Sequence, residues 1–307
     1  TNLGAFVPSE INNKGQIVGF SLSNDFRHAV LYDDGRLYDL GTLGGFYSEA
    51  YSLNNRRQVV GFSWTTRGCF CHAFLWEDGA MTDLTPLSEY PTLANGKGTS
   101  AYDINNRGQI VGAAHIDGVV SGPVLWDNGE IIPFGTLAGT SGEAYRINNS
   151  GQIAGWSYLA GDTSYHAFLY TDGTMMDLGT LGGTNSEAMG LNDRGQVVGY
   201  ATTAEDEIHA FLFTQGTMID LSLLATETGP SYAPDINNRG QVIVEYTSGH
   251  SFLYDDGTMT DLTELVYTKF GWIGFSAAGI NDAGWIVGSA ANNNGDFVHA
   301  VLLSPAP

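Results

Sequence analysis

Lysine and arginine are scarce in this chain, 12 in 307 residues against 33 aspartates and glutamates, which leaves a net charge of −21. Only Lys14, Lys97 and Lys269 are lysines. Such a surface repels nucleic acid and anionic membranes, both of which are bound through clustered Lys and Arg. It suits cations, basic partners or neutral glycans. Cysteine is nearly absent: Cys69 and Cys71 allow at most one disulfide, so this is not a disulfide scaffold. Lying i, i+2 in one expected loop, they would close at best a strained bridge, and four-ligand zinc spacing is missing; two ordinary thiols or a small staple are expected. No run of 18 apolar residues occurs, which excludes a membrane-spanning helix. No segment longer than a turn has helical periodicity. There is no Gly-x-Ser-x-Gly elbow, no His-Glu-x-x-His and no phosphate loop ahead of a helix; Gly41 to Gly45 is like one only in composition, because a strand follows it. No signal peptide is visible. The chain opens in mid-pattern with Thr1-Asn2-Leu3-Gly4, as it would if a leader had been removed.

What the chain has in abundance is glycine (41 residues) and a repeat. A hydrophobic residue followed by Asn and then Asn or Asp recurs at Ile11-Asn12-Asn13, Leu53-Asn54-Asn55, Ile104-Asn105-Asn106, Ile147-Asn148-Asn149, Leu191-Asn192-Asp193, Ile236-Asn237-Asn238 and Ile280-Asn281-Asp282. The steps between the first asparagines are 42, 51, 43, 44, 45 and 44 residues. That period is one four-stranded propeller blade. Within each unit, here repeats 1 to 7, a first strand carries a small residue ahead of the anchor: Ala50, Ala101, Ala144, Ala188, Ala233 and Ala277. An Asn-x-x-Gly turn follows, whose residues tolerate positive φ. Gln-Ile-Val-Gly or Gln-Val-Val-Gly forms the second strand, His-Ala-Phe-Leu-Trp (His72 to Trp76) typifies the third, and after an Asp-Gly turn the fourth ends in Asp-Leu. The sequence predicts an all-β, seven-bladed propeller filling 1–307 as one domain. Only six fourth strands are found after their own third strands, and Thr1 to Gly4 matches Met176 to Gly179. The N-terminal strand is therefore expected to complete the last blade, closing the ring and covering sheet edges. An open solenoid of the same units would need capping repeats instead.

His72-Ala73-Phe74, His166-Ala167-Phe168 and His209-Ala210-Phe211, together with Asp39 to Gly45 and Asp177 to Gly183 (Asp-Leu-Gly-Thr-Leu-Gly-Gly), resemble the HAF repeat. The resemblance covers essentially the whole chain. It implies an extracellular, mostly bacterial repeat protein with no established reaction, hence location and shape rather than chemistry. The chain departs from the pattern at Gly122-Pro123-Val124 in repeat 3, at Val244 in place of the glycine ending a second strand, and at Arg57 in place of a turn glycine.

Six histidines occupy the same third-strand position: His28, His72, His166, His209, His250 and His299. Third strands lie two strand spacings, roughly 10 Å, outside the innermost ones, while zinc holds nitrogen at roughly 2 Å, so one metal cannot bridge them. Each is expected to hydrogen-bond a turn or the adjoining blade. The anchor asparagines read as turn-stabilising side chains. Loops such as Asn192-Asp193-Arg194-Gly195 have the residue types for a calcium ion but too few carboxylates for a strong site, and no other cofactor is called for.

Function needs one site, so the places where repeats disagree are the candidates. Glu49, Glu143 and Glu187 precede the first-strand alanine and should ring one mouth of the central channel. Glu10, Asp103, Arg146 and Asp235 precede the anchor hydrophobe, where other repeats have Ser52, Gly190 and Gly279; Asp103 and Arg146 are placed to pair. The bland alternative is an inter-blade salt bridge in a solvated channel. Two inter-blade loops, Thr85 to Ser100 with Glu89, Tyr90 and Lys97, and Thr263 to Ser276 with Tyr267, Lys269, Phe270, Trp272 and Phe275, are long and aromatic, and Trp64, Tyr158, Tyr165 and Tyr232 join them on one face. Aromatics there suit a sugar ring or a peptide, unless they merely roof their own blades. The leading expectation is an extracellular binding module whose ligand-binding residues include Glu49, Tyr90, Asp103, Glu143, Arg146, Glu187, Tyr232, Tyr267 and Trp272, recognising a glycan or protein, without nucleic acid or membrane insertion. The alternatives are a carbohydrate-active enzyme, a lyase or hydrolase using the channel-mouth acids, and a building block of an extracellular assembly.

Deleting residues 1–6 is expected to cost most of the stability, and an unchanged melting temperature would overturn the pairing of the N-terminal strand with the last repeat.

Overall fold

The anchor asparagines do more than stabilise their own turns. In repeat 5 the Asn192 side-chain oxygen accepts the amides of Arg194 and Gln196 at 3.0 and 3.1 Å. Its Nδ2 donates to Gln196 Oε1 at 2.8 Å and to the Asn237 carbonyl of the next repeat at 3.0 Å. The same inter-repeat bond runs from Asn12 to Asn54, Asn105, Asn148, Asn192, Asn237 and Asn281, and Asn281 donates to the Asn12 carbonyl at 3.1 Å. All of these asparagines are buried, so each must find partners for its amide.

The computed structural model describes residues 1–23, 26–66, 68–85, 98–114, 122–270, 272–291 and 298–305. It is an all-β propeller of four-stranded antiparallel blades. Repeat 5 is typical, with Gly182–Leu191, Val197–Thr203, Ile208–Thr214 and Thr217–Asp220 pairing as consecutive antiparallel neighbours. Five blades stand as separate four-stranded sheets. This corrects the expectation of seven separate ones. Repeats 1 and 2 share one eight-stranded sheet, because Arg27 in Phe26–Asp33 pairs in parallel with Tyr47 in Gly44–Leu53. The last sheet takes its fourth strand from Asn2–Gly4, which pairs antiparallel with Val298–Leu303 as the sequence implied.

Apolar clusters lie between successive repeats. Val198, Ala210, Leu212 and Leu221 of repeat 5 pack on Ala233, Ile236, Val242 and Phe252 of repeat 6. Polar latches accompany them. The amide of the His-Ala-Phe alanine donates to a hydroxyl on the next repeat's first strand: Ala29 to Ser48, Ala73 to Thr99, Ala167 to Ser186 and Ala210 to Ser231, at 2.8–3.0 Å. In repeat 3 that alanine is Pro123, which has no amide hydrogen, and the matching residue of repeat 4 is Gly142.

The histidines are structural, though their partner is neither a turn nor the next blade. Nδ1 of His28, His72, His166 and His209 lies 2.7–2.9 Å from a carboxylate oxygen of Asp39, Asp83, Asp177 and Asp220 on the fourth strand of the same repeat, and His250 lies 3.4 Å from Asp261. Repeat 3 lacks both members, having Gly122 and Pro133. The aspartate also accepts the amide that follows its strand, as Asp177 does from Gly179 at 2.8 Å.

The other departures also have local causes. In five repeats a Cβ on the second-strand glycine would lie 1.9–2.0 Å from a first-strand carbonyl oxygen, as at Gly199 and Glu187. Repeat 6 has Val244 there, and its first strand is only Ser231–Tyr232, with one further bridge from Ile236 to Val242. Arg57 adopts the left-handed φ of +66° that glycine takes elsewhere, and is held by its Nε–H to Asp33 at 2.9 Å and by the Tyr38 and Trp76 rings. One element was not expected: Leu262–Phe270 is an α-helix. Asp261 caps it by accepting the Glu264 amide at 2.9 Å, so the aspartate that elsewhere caps a loop here starts a helix. Cys69 and Cys71 lie on the strand Gly68–Glu77 rather than in a loop.

Asn148→Ala should lower unfolding free energy by about 2–4 kcal/mol, since it strips partners from several buried backbone and side-chain groups; Ser150→Ala on the same turn, whose side chain is exposed, should change little. Urea denaturation of both variants measures the difference.

Candidate functional site

The inner strands present two polar levels. Nearer the asparagine turns, a central cavity of about 160 Å³ is lined by residues of every repeat, among them Glu10, Asp103, Arg146 and Asp235. The carboxylates here serve the backbone. The first strands bulge just before these positions, for example between Ala101 and Asp103, leaving amides outside the regular ladder. Asp103 accepts the Ile104 and Ile147 amides at 2.8 Å each and the Ser52 hydroxyl at 2.5 Å. Asp235 accepts Ile236 and Ile280 at 2.8 and 2.7 Å, and Glu10 accepts Ile11 at 2.9 Å. Asp103 and Arg146 form no ion pair: the Arg146 Nη1 donates to the Tyr145 carbonyl at 3.0 Å, and its buried Nε has no hydrogen-bond partner. Burial, then the charge of Asp235, pushes the Glu10 carboxyl well above the usual range, against the pull of Arg146. Burial also raises Asp235. This level ties repeats together.

Toward the other end of the inner strands lies a wall of carboxylates and aromatic rings. Glu49 accepts from both the Arg27 guanidinium and the Tyr47 hydroxyl. The hydrogen bond to Glu49 raises Arg27, and burial together with Glu49 pushes Tyr47 up to about 12. Tyr51, Tyr102 and Tyr145 each follow the first-strand alanine in consecutive repeats and run as a ladder, with centroids 5.6 and 5.0 Å apart. Burial, then the neighbouring glutamates, raises all three phenols. Glu187 accepts the Tyr200 hydroxyl at 2.8 Å, and Tyr200 lies 3.1 Å from Tyr165 Oη. Trp156 donates its indole N–H to Tyr145 Oη at 3.1 Å and meets Tyr158 and Tyr165 edge-on. Burial raises the Glu187 carboxyl, Tyr200 opposes this, and the charge of Glu143 adds to it. Glu143 and Glu187 thus stand on neighbouring first strands, within electrostatic reach of each other.

The loop aromatics divide. Tyr267 is exposed on the helix Leu262–Phe270, whereas Trp272 packs 5.3 Å from the His299 ring and against the repeat 7 cluster. Trp64 stacks on Tyr47 at 5.1 Å. Tyr232 is half-buried, its phenol raised by burial and by Glu245. Tyr90, with Glu89 and Lys97, lies outside the described residues. Asp193, in the loop with calcium-type residues, accepts amides from Asn149 and Asn238 at 2.8–3.0 Å. Among the described residues no group of three His, Cys, Asp or Glu is placed to hold a metal.

Sequence reading missed Arg27, Trp156, Tyr200 and Glu245. The signal for the second-strand residues was available: they follow the second-strand glycine, a position occupied by Phe20, Phe62, Ala113, Trp156, Tyr200, Glu245 and Ser289, as unlike as any in the repeat. An exposed aromatic pair, Phe26 and Phe46 with centroids 5.6 Å apart, was missed as well.

No family model and no curated protein matches the chain. Solved structures with a similar fold include a puromycin-hydrolyzing peptidase from Mycobacterium tuberculosis, with TM-score 0.64 and 12% identity over 98% of this chain and 50% of that one. TolB from Acinetobacter baumannii has TM-score 0.48 and 13% identity over 80% of this chain and 65% of that one. A gluconolactonase from Xanthomonas campestris has TM-score 0.45 and 11% identity over 99% and 89%. This chain thus spans half the length of the peptidase. The peptidase likeness is one of fold alone, and the two looser matches carry no argument.

Glu245 is buried in the seam between repeats 6 and 7, accepting the Ala277 amide at 2.9 Å, and burial pushes its carboxyl up to about 7. Its neutral form suits the folded state, so the associated stability is present below about pH 4.5 and is lost as pH rises through 7. Glu245→Gln should flatten thermal stability between pH 5 and 8 and stabilise the protein by roughly 3 kcal/mol above pH 7; a melting-temperature profile against pH measures it.

Proposed function

We propose that this chain is an extracellular binding propeller, akin to the HAF-repeat proteins, that holds a glycan or protein partner at the acidic, aromatic mouth of its inner strands. The observation that carries the reading is the division of labour within the repeat. Residues common to the repeats (asparagines, histidines, latch hydroxyls) are engaged with the scaffold, as are the differing residues Glu10, Asp103 and Asp235 beside the asparagine turns, while the differing aromatic residues and the remaining glutamates gather at the other end of the first and second strands. Glu49, Glu143, Glu187, Trp156 and Tyr200 belong to that end. Aromatic faces beside carboxylates provide stacking and hydrogen-bond acceptance without a nucleophile or metal. Tyr232 and Tyr267 would extend the surface.

We further infer that the eight-stranded sheet counts as two blades joined at one bridge, which gives seven blades in a ring closed by Asn2–Gly4. The asparagine relay through all repeats and back to Asn12 supports this count.

A second reading, acid–base chemistry on a carbohydrate, is favoured by one observation, the electrostatic contact of Glu143 with the partly buried Glu187. Turnover of a polysaccharide that is lost in both Glu143→Gln and Glu187→Gln would select it. For the binding reading, the purified chain should retain ligands on glycan or extracellular-protein arrays, and Trp156→Ala should weaken retention about tenfold with folding intact. Failure to bind any glycan or protein would overturn it.

A further inference from the structure

One of the three mouth glutamates already holds a cation. The Arg27 guanidinium reaches Glu49 while lying 4.2 Å over the Phe20 ring and 5.3 Å from the centre of the Tyr47 ring. Phe20 and Arg27 belong to repeat 1, Glu49 to repeat 2, so the guanidinium sits in the seam between repeats, over aromatic surface and bonded to a carboxylate.

The repeat transfers this arrangement, position by position, to the seam between repeats 4 and 5. Glu187 stands where Glu49 does, before the first-strand alanine. Trp156 stands where Phe20 does, after the second-strand glycine, and Tyr165 occupies the place of Arg27, before the histidine. The local backbone pairing is kept in altered form: Arg27 pairs with Tyr47, and the Tyr165 amide donates to the side chain of Asn185, the counterpart of Tyr47, at 3.1 Å. The carboxylate is retained and the aromatic face is larger, but the cation is gone. Glu143 adds a second carboxylate near the first, and among the described residues neither is paired with a basic side chain. The Tyr102 hydroxyl hydrogen-bonds Glu143 and the Tyr200 hydroxyl donates to Glu187.

A neutral sugar would satisfy the rings and leave two carboxylates without a counter-charge. A planar, delocalised cation satisfies both, by stacking on the indole and donating paired N–H groups to carboxylate oxygen. The net charge of −21 favours the approach of such a group. We propose that the seam formed by Trp156, Glu143 and Glu187 takes an arginine side chain of a partner polypeptide, in the manner that Arg27 occupies the seam at Glu49. The proposal rests on the reading of the mouth as the ligand site.

Calorimetric titration of the full chain with a Gly-Arg-Gly-Arg-Gly amide and with its citrulline counterpart tests it. Saturable binding of the arginine peptide is expected, weakened roughly tenfold or more by the citrulline replacement and by either Glu187→Gln or Glu143→Gln, and unchanged in Asp172→Asn, on an exposed Asp-Gly turn away from the mouth. Tyr165→Arg, which restores the Arg27 pattern from within, should block the peptide while the protein keeps its fold. Equal affinity for wild type and both glutamine variants would show diffuse charge attraction and overturn the proposal. So would unchanged peptide binding by Tyr165→Arg. Binding of a chitosan oligosaccharide that needs Glu143 and Glu187, with none of the peptide, would overturn the arginine assignment and leave the binding reading standing. If array screening and titration both find no ligand, both fall.

Discussion

Everything in this fold hangs on one side-chain amide. The anchor asparagine folds its own turn with its oxygen and joins the next repeat with its nitrogen, so local structure and assembly of the repeats come from one residue. A buried primary amide has more hydrogen-bonding capacity than a turn alone can use, and leaving part of it unmet is costly. That surplus becomes the connection between units. The hydrophobic seams supply most of the burial, but they are not directional; the asparagine relay fixes how each unit is turned relative to the next.

The repeat also explains its own exceptions. Where repeat 3 loses a histidine at Gly122, it loses the matching aspartate at Pro133, and where Pro123 removes an amide, Gly142 of repeat 4 removes the hydroxyl that would have received it. In these two places both partners are absent, so no polar group is left without its mate. The same logic separates scaffold from site: groups whose partners recur in the repeat are accounted for, and among the described residues Glu143 and Glu187 lack the basic partner that Glu49 has.

The architecture was legible because the asparagine anchors, Asp-Gly turns and alternating strands are local signals that seven copies reinforce. The pairing of Thr1–Gly4 with the last repeat followed from counting fourth strands. What escaped depended on how strands lie against one another, within and between repeats, or was a local cue of the wrong kind for its surroundings. The parallel bridge from Arg27 to Tyr47 depends on how far Gly44–Leu53 extends past its own turn. The histidine partner, eleven residues downstream, needed the register of the third and fourth strands. The helix Leu262–Phe270 was signalled by Asp261 and Glu264 in capping-box spacing, a cue masked by the strand pattern around it. The three glutamates at the mouth were found as departures from symmetry, but Trp156 and Tyr200, on the neighbouring strand, were hidden inside the conventional Gly-Trp and Gly-Tyr strand sequence.

The strand Asn2–Gly4 sets an order of events. Its partner lies about 300 positions along the chain, with the Thr1 ammonium donating to the Leu302 carbonyl at 2.7 Å across a separation of 301. During synthesis this segment is made before its partner and must wait, unpaired, until Val298–Leu303 exists. Loop-closure entropy grows only slowly with length, so the final contact is not prohibitive thermodynamically. It is late, however. Until it forms, the outer edge of Val298–Leu303 is open to the Asn2–Gly4 strand of another copy, so crowded refolding should favour strand exchange between copies over aggregation through the seams.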